Sequence, residues 1–142
     1  MLAKNGGALP KMRLPVEWGI GSPLGDGHQY MPWIHVDDLC SIYIKAIEDD
    51  QMKGAYNAVA PDHVTNKNFL RVMAQVLEKP LWLPNIPEWV MKWVWGEMSE
   101  MLLRGSRISG DKIIASGFNF RFPNLESAML DLLKGNTSIG TQ

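Results

Sequence analysis

The sequence predicts an α/β fold, mostly helical with a few short strands. Three observations point there. Two brief apolar runs, Trp33 to Val36 and Ala55 to Val59, read as strands. Each is followed by a polar residue suited to opening a helix, Asp37 and Thr65. The stretches beyond them repeat apolar residues at i, i+3, i+4 and i+7, the period of an amphipathic helix.

The elements follow in chain order. Lys4 to Gly27 is rich in Gly and Pro, with turns at Asn5-Gly6-Gly7 and Ser22-Pro23, and predicts a long functional loop or lid with local structure around Trp18. Trp33 to Val36 is a short strand, with Pro32 at its edge. Asp37 caps a helix whose stripe is Leu39, Ile42, Tyr43, Ala46 and Ile47, ended by Glu48-Asp49-Asp50 and Gly54. Ala55 to Val59 suits a buried parallel strand. Thr65 caps the next helix, with Phe69, Val72, Met73, Val76 and Leu77 on one face and Lys79-Pro80 as its stop. Leu81 to Leu83 is extended. Pro87 suits the first turn of a helix to about Arg104, apolar on much of its circumference and carrying Trp89, Trp93 and Trp95. A short helix spans about Gly110 to Ser116, closed by Gly117, and Phe118 to Phe122 is extended. Asn124 caps a last helix with Leu125, Ala128, Met129, Leu132 and Leu133 on one face, ending at Gly135; Asn136 to Gln142 is a frayed tail.

The bulk properties narrow the function. The 142 residues suffice for one modest core. A net charge of −1 gives no electrostatic draw toward nucleic acid or an anionic membrane. The small basic group Lys4, Lys11 and Arg13 reads as a solvated loop. Cys40 is the single cysteine, which fits a cytoplasmic location, and its place in an apolar helical pattern predicts a small buried side chain rather than a nucleophile. No signal peptide or membrane span is visible. Six tryptophans and nine methionines are a heavy load for this length, so they either build the core or line a surface that something else covers.

No familiar catalytic pattern stands out. Gly19-Ile20-Gly21 fails as a dinucleotide fingerprint, because Leu24 takes the third glycine's place and Pro23 interrupts. His28, His35 and His63 with Asp37 and Asp38 match no standard metal-ligand spacing. Asp37 and Asp38 are adjacent and point apart, which favours a helix start over paired acid–base work. On its own the segment contains no self-sufficient active site.

Several phrases nevertheless resemble a known family. Gly25-Asp26-Gly27 and Trp33-Ile34-His35-Val36-Asp37-Asp38-Leu39 are similar to the closing half of extended short-chain dehydrogenase/reductases (SDRs). Asn5-Gly6-Gly7-Ala8-Leu9-Pro10-Lys11-Met12, the run from Gly96 to Arg107 and the run from Ala115 to Ala128 resemble the epimerase family proteins, a group named for nucleoside-diphosphate-sugar epimerases and ending in a domain of unknown function. The resemblance implies the C-terminal, substrate-side portion of a Rossmann-type extended SDR. Residues 1–36 would be a loop-rich substrate-side segment with a short strand, 37–135 a helical C-terminal substrate domain with short strands, and 136–142 a tail.

The same resemblance implies NAD or NADP on an N-terminal Rossmann domain that is missing here, with no cofactor and no catalytic residue in this segment. The general base of such enzymes sits in Tyr-x-x-x-Lys, and Tyr30, Tyr43 and Tyr56 are followed at the fourth position by Ile34, Ile47 and Ala60. Met1 would therefore mark a truncated chain or a misplaced gene start. By analogy Ala8, Leu9, Pro10, Lys11, Met31 and Trp33 line the substrate. Met31 stands where nucleotide-sugar enzymes place an arginine for the diphosphate, and a thioether offers no charged fork. The expected function is substrate binding for an NAD(P)-dependent epimerase or oxidoreductase, with a small molecule and the N-terminal domain as partners, no nucleic acid and no membrane. The alternative is a non-enzymatic binding or dimerisation module using the Trp-rich helix 88–104; an interfacial membrane helix at Glu88 to Arg104 is disfavoured by its acidic polar face. Unpaired strand edges predict that the segment alone pairs with itself or rearranges at residues 55–59.

Overall fold

Helices do most of the packing, and they are the elements with the strongest apolar stripes. The computed structural model describes residues 1–87, 89, 93 and 105–135. The chain opens with a two-rung antiparallel hairpin, β1 (Leu2–Ala3) with β2 (Gly6–Gly7). Then come α1 (Leu9–Glu17), β3 (Tyr30–Met31), α2 (Val36–Glu48), β4 (Val64–Thr65), α3 (Asn66–Leu77), α4 (Asp111–Ala115) and α5 (Leu125–Lys134). β3 and β4 pair antiparallel, Tyr30 opposite Thr65 and Met31 opposite Val64.

Three helix borders fall where their capping residues predict. The Thr65 side chain accepts the Asn68 N–H at the start of α3, and Asn124 Oδ1 accepts the Ser127 N–H at 2.9 Å at the start of α5. Gly117, at φ +75°, follows α4 in the left-handed region. The stripe of α3 packs against α5 and α1 in one cluster that holds Leu9, Val16, Phe69, Met73, Leu125 and Met129. A second, smaller cluster joins Ile42 of α2 to Ile34 and Ile113.

Elsewhere the structure corrects the expectations. Residues 9–17 of the supposed lid form α1. Pro10 lies in the first helical turn, where its missing N–H is harmless, and the internal Pro15 comes two residues before the end. Leu9 and Val16 bury against the core, so tertiary packing outweighs the local penalty. Trp33 to Val36 is not a strand: the ladder forms at Tyr30–Met31, while Leu2 N–H donates to Ile34 O at 2.8 Å and Ala60 N–H to Trp33 O at 2.8 Å. The cap of α2 is His35, whose Nδ1 accepts the Asp37 N–H at 3.1 Å; Asp37 lies one residue inside the helix. Ala55 to Val59 carries no strand; Ala55 O accepts the Lys112 ammonium at 2.9 Å, which also takes Lys53 O and lies 4.0 Å over the Tyr56 ring. Phe118 to Phe122, expected to be extended, carries neither helix nor strand.

The stripe of α2 is half open. Ile42 is buried and Leu39 partly so, yet Tyr43 is 65% and Ile47 82% exposed. Cys40, expected inside, is exposed as well. Of the helix expected from Pro87 to Arg104, Pro87, Trp89 and Trp93 lie among the described residues; Trp89 and Trp93 are helical and exposed, Pro87 is not helical, and the rest of it, with the tail, lies outside them.

Candidate functional site

α1 and α3 leave between them an apolar groove of about 370 Å³. Met12, Pro15 and Val16 of α1 form one wall and Leu70 of α3 another; Ile20, Leu24 and Ile86 complete it. Lys11 supplies the charged group in its lining, and Ser22 and Asn66 the polar ones. Such a concavity, apolar with a few convergent polar groups, is the usual form of a small-molecule site.

Asn66 organises this region. It is 2% exposed. Its Oδ1 accepts the Leu24 N–H at 2.9 Å, and its Nδ2 donates to Met31 Sδ at 3.1 Å. Asn66 N–H donates to Gln29 O and Lys67 N–H to Gly27 O, at 2.9 and 3.0 Å. With Thr65 taking the Asn68 N–H, the first donors of α3 are spent on the chain itself, so its N-terminus is no open anion site. The far side of the loop is tied too: Gly25 N–H donates to Ile86 O, Ile86 N–H to Pro23 O, each at 2.9 Å, and the Ser22 hydroxyl to Pro84 O. The groove wall is thus preformed by backbone bonds.

His35 is buried against the ring of Phe122, 3.9 Å between centroids. Because its Nδ1 accepts, the proton belongs on Nε2. That nitrogen lies 3.4 Å from Asp131 Oδ2, near enough for attraction, but makes no aligned hydrogen bond. The geometry makes His35 a helix cap in the core. Two surface carboxyls are held below their ordinary pKa, Asp49 by the Lys45 ammonium and Glu78 by that of Lys134. Neither lines the groove.

Among the described residues, the Gly19–Gly21 turn does not fit the phosphates of a dinucleotide. After Gly19, at φ +73°, the chain runs through a turn, and the next helix is α2 at Val36. A Cβ on Gly21 would stand 2.7 Å from Val16 Cγ2, so this glycine serves packing against α1 rather than a phosphate. Among the described residues no three His, Cys, Asp or Glu side chains gather to hold a metal, and no helix is long and apolar enough to cross a membrane.

Known proteins resemble this arrangement closely. Residues 86–132 match a domain of unknown function, DUF1731. The mouse epimerase family protein SDR39U1 is 37% identical over 134 residues, 94% of this chain and 45% of the relative. The Bacillus subtilis epimerase family protein YfhF is 37% identical over 133 residues, 94% of this chain and 44% of its own. The crystal structure of human epimerase family protein SDR39U1 (isoform 2) with NADPH aligns with a TM-score of 0.87 at 35% identity, over 94% of this chain and 45% of that one. The chain belongs to the epimerase family proteins. It spans rather less than half the length of the relatives it matches and corresponds to their C-terminal portion. Its mixed α/β architecture is that of the same portion of epimerase structures.

In this epimerase family chain the six residues expected to line a substrate are spread over the region. Lys11 lines the groove. Met31 reaches it through the sulfur–amide contact with Asn66. Leu9 and Trp33 are buried in the core, and the Trp33 indole N–H donates to Asp62 O at 2.9 Å. Ala8 is exposed just ahead of α1, and Pro10 half-buried in its first turn. Sequence reasoning passed over Asn66, Leu70 and Ile86. An asparagine directly after a capping threonine looks like one more polar residue of a helix start, and nothing local marks it as the knot of a loop 40 residues earlier in the chain.

Proposed function

We propose that this chain is the substrate-binding C-terminal portion of an NAD(P)-dependent epimerase or oxidoreductase of the extended SDR type, without catalysis of its own. The observation that carries this is the open face of α2. An amphipathic helix that leaves Tyr43 and Ile47 exposed, in a chain less than half as long as its relatives, is suited to packing under the remaining portion. That portion would hold the dinucleotide; the crystal structure of the human relative is with NADPH, and the Gly19–Gly21 turn here offers no phosphate cradle. The role left to this chain is to bind and orient a small molecule in the α1–α3 groove and to exclude water from it. Residues 1–36 act as the substrate-side segment and 37–135 as the helical substrate domain. The lone Cys40, without a disulfide partner, supports a cytoplasmic location.

The test is complementation. The chain is titrated with NADPH by cofactor fluorescence, alone and after mixing with the N-terminal portion of YfhF. No binding alone, and binding together with new hydrogen-exchange protection on α2, is the expected result. Tight NADPH binding and turnover by the 142 residues unaided would overturn the proposal. A second possibility, a dimerisation module using the Trp-rich helix 88–104, is favoured by the exposure of Trp89 and Trp93. It predicts a dimer that persists after the N-terminal portion is added.

A further inference from the structure

Resting on the substrate-side assignment, we infer that the α1–α3 groove takes an amphiphile with an apolar body and one anionic end, of the medium-chain carboxylate type, and not a nucleoside-diphosphate sugar. The walls are apolar on both sides: Met12, Pro15 and Val16 face Leu70 and Ile86. The polar groups within them are already committed. Asn66 gives its carbonyl to Leu24 and its amide to Met31, and the Ser22 hydroxyl is bound to Pro84 O. The N–H groups at the start of α3 are spent on Gln29 O, Gly27 O and Thr65. A ring of sugar hydroxyls would lose water against these walls with little to replace it, and a diphosphate would find Lys11 as its charged partner and no second one, whereas an alkyl chain loses nothing. Lys11 is different. It is exposed at the groove, and no hydrogen bond or ion pair to it is found among the described residues, while its neighbour Arg13 is bound to Glu17 at 2.7 Å. One ammonium at the rim of an apolar slot matches one carboxylate at the end of an apolar chain.

The experiment is calorimetric titration of the 142-residue chain with sodium decanoate, 1-decanol and UDP-glucose, for the wild type, Lys11→Glu and Ile20→Glu. Both positions are exposed, so neither substitution removes a core side chain. Decanoate is expected to bind. Lys11→Glu weakens it about tenfold and changes decanol about twofold at most, whereas Ile20→Glu weakens both. Absence of decanoate binding, equal loss of decanoate and decanol in Lys11→Glu, or tighter binding of UDP-glucose would each overturn the inference. Failure here alongside successful NADPH complementation removes the ligand class and leaves the substrate-side assignment standing; failure of complementation alongside Lys11-dependent decanoate binding does the reverse.

Discussion

Asp38 and Phe122 are joined across 84 positions of sequence: the buried carboxylate of Asp38 accepts the Phe122 N–H at 3.0 Å and, with its other oxygen, the Arg121 N–H at 2.7 Å. Arg121 also places its guanidinium 3.5 Å from Asp37. The second acid of the His-Val-Asp-Asp phrase is therefore a clasp between the start of α2 and the segment that leads into α5. His35, three residues before Asp38 and the cap of the same helix, stacks on the same Phe122 ring.

Replacing Asp38 by Asn leaves one acceptor for two donors and turns an amide N–H₂ toward a backbone N–H. Buried donors without partners are expensive. Asp38→Asn should destabilise the chain by about 2 kcal/mol, read as a lower urea midpoint with an unchanged slope. A midpoint equal to the wild type would mean that the clasp contributes nothing.

Gly105 lies against the backbone of β3. A Cβ there would stand 2.6 Å from the Tyr30 nitrogen and closer still to its carbonyl oxygen. Both neighbours are main chain, so neither can swing away as a side chain would. Gly105→Ala should destabilise by about 1–3 kcal/mol, the range for overpacking, and raise the hydrogen-exchange rates of Met31 and Val64, the hydrogen-bonded pair of the β3–β4 ladder. Wild-type exchange at those two amides would argue against a backbone-on-backbone contact.

What could be read from the sequence was local. Thr65, Asn124 and Gly117 mark helix ends through bonds a few residues long, and the stripes of α3 and α5 report burial against partners present in the same chain. The misreadings came from non-local causes. α1 forms despite two prolines because Leu9 and Val16 find a core made 50 to 120 residues later. His35 displaces Asp37 as cap because the imidazole is held in place by Phe122. The α2 stripe is a true amphipathic pattern, yet its periodicity says nothing of whether the covering surface is at hand. The groove was glimpsed through Lys11 alone, since Asn66, Leu70 and Ile86 meet only once the chain is folded.

Acid should weaken a surface contact between α3 and α5. Lys134 Nζ lies 2.6 Å from Glu78 Oε1, and this hydrogen bond, then the ammonium's charge, lowers the Glu78 pKa. A carboxyl whose folded pKa is depressed binds protons more readily when unfolded, so its contribution is present above the ordinary glutamate range and fades as pH falls through the lowered value. The exposed setting keeps the effect small and sensitive to salt. A difference in stability between wild type and Glu78→Gln that is present at neutral pH, shrinks on acidification and is reduced by added salt is the expected result. A difference independent of pH would mean that the charge of Glu78 is not its source.

The exposed face of α2 separates stability from association. Ile47 has little contact to lose, being 82% exposed, so Ile47→Glu should leave the unfolding free energy within about 0.5 kcal/mol of the wild type. The same residue sits beside Tyr43 on a helix face whose apolar area favours contact with any apolar partner, and in the chain by itself the available partner is another copy. Light scattering across a concentration series should show self-association in the wild type and a shift toward monomer in Ile47→Glu. Adding the N-terminal portion of YfhF should suppress the wild-type self-association by competing for that face, and should fail to bind Ile47→Glu as tightly. If the substitution lowers stability and leaves association untouched, then α2 is closed by its own chain and the open surface lies elsewhere.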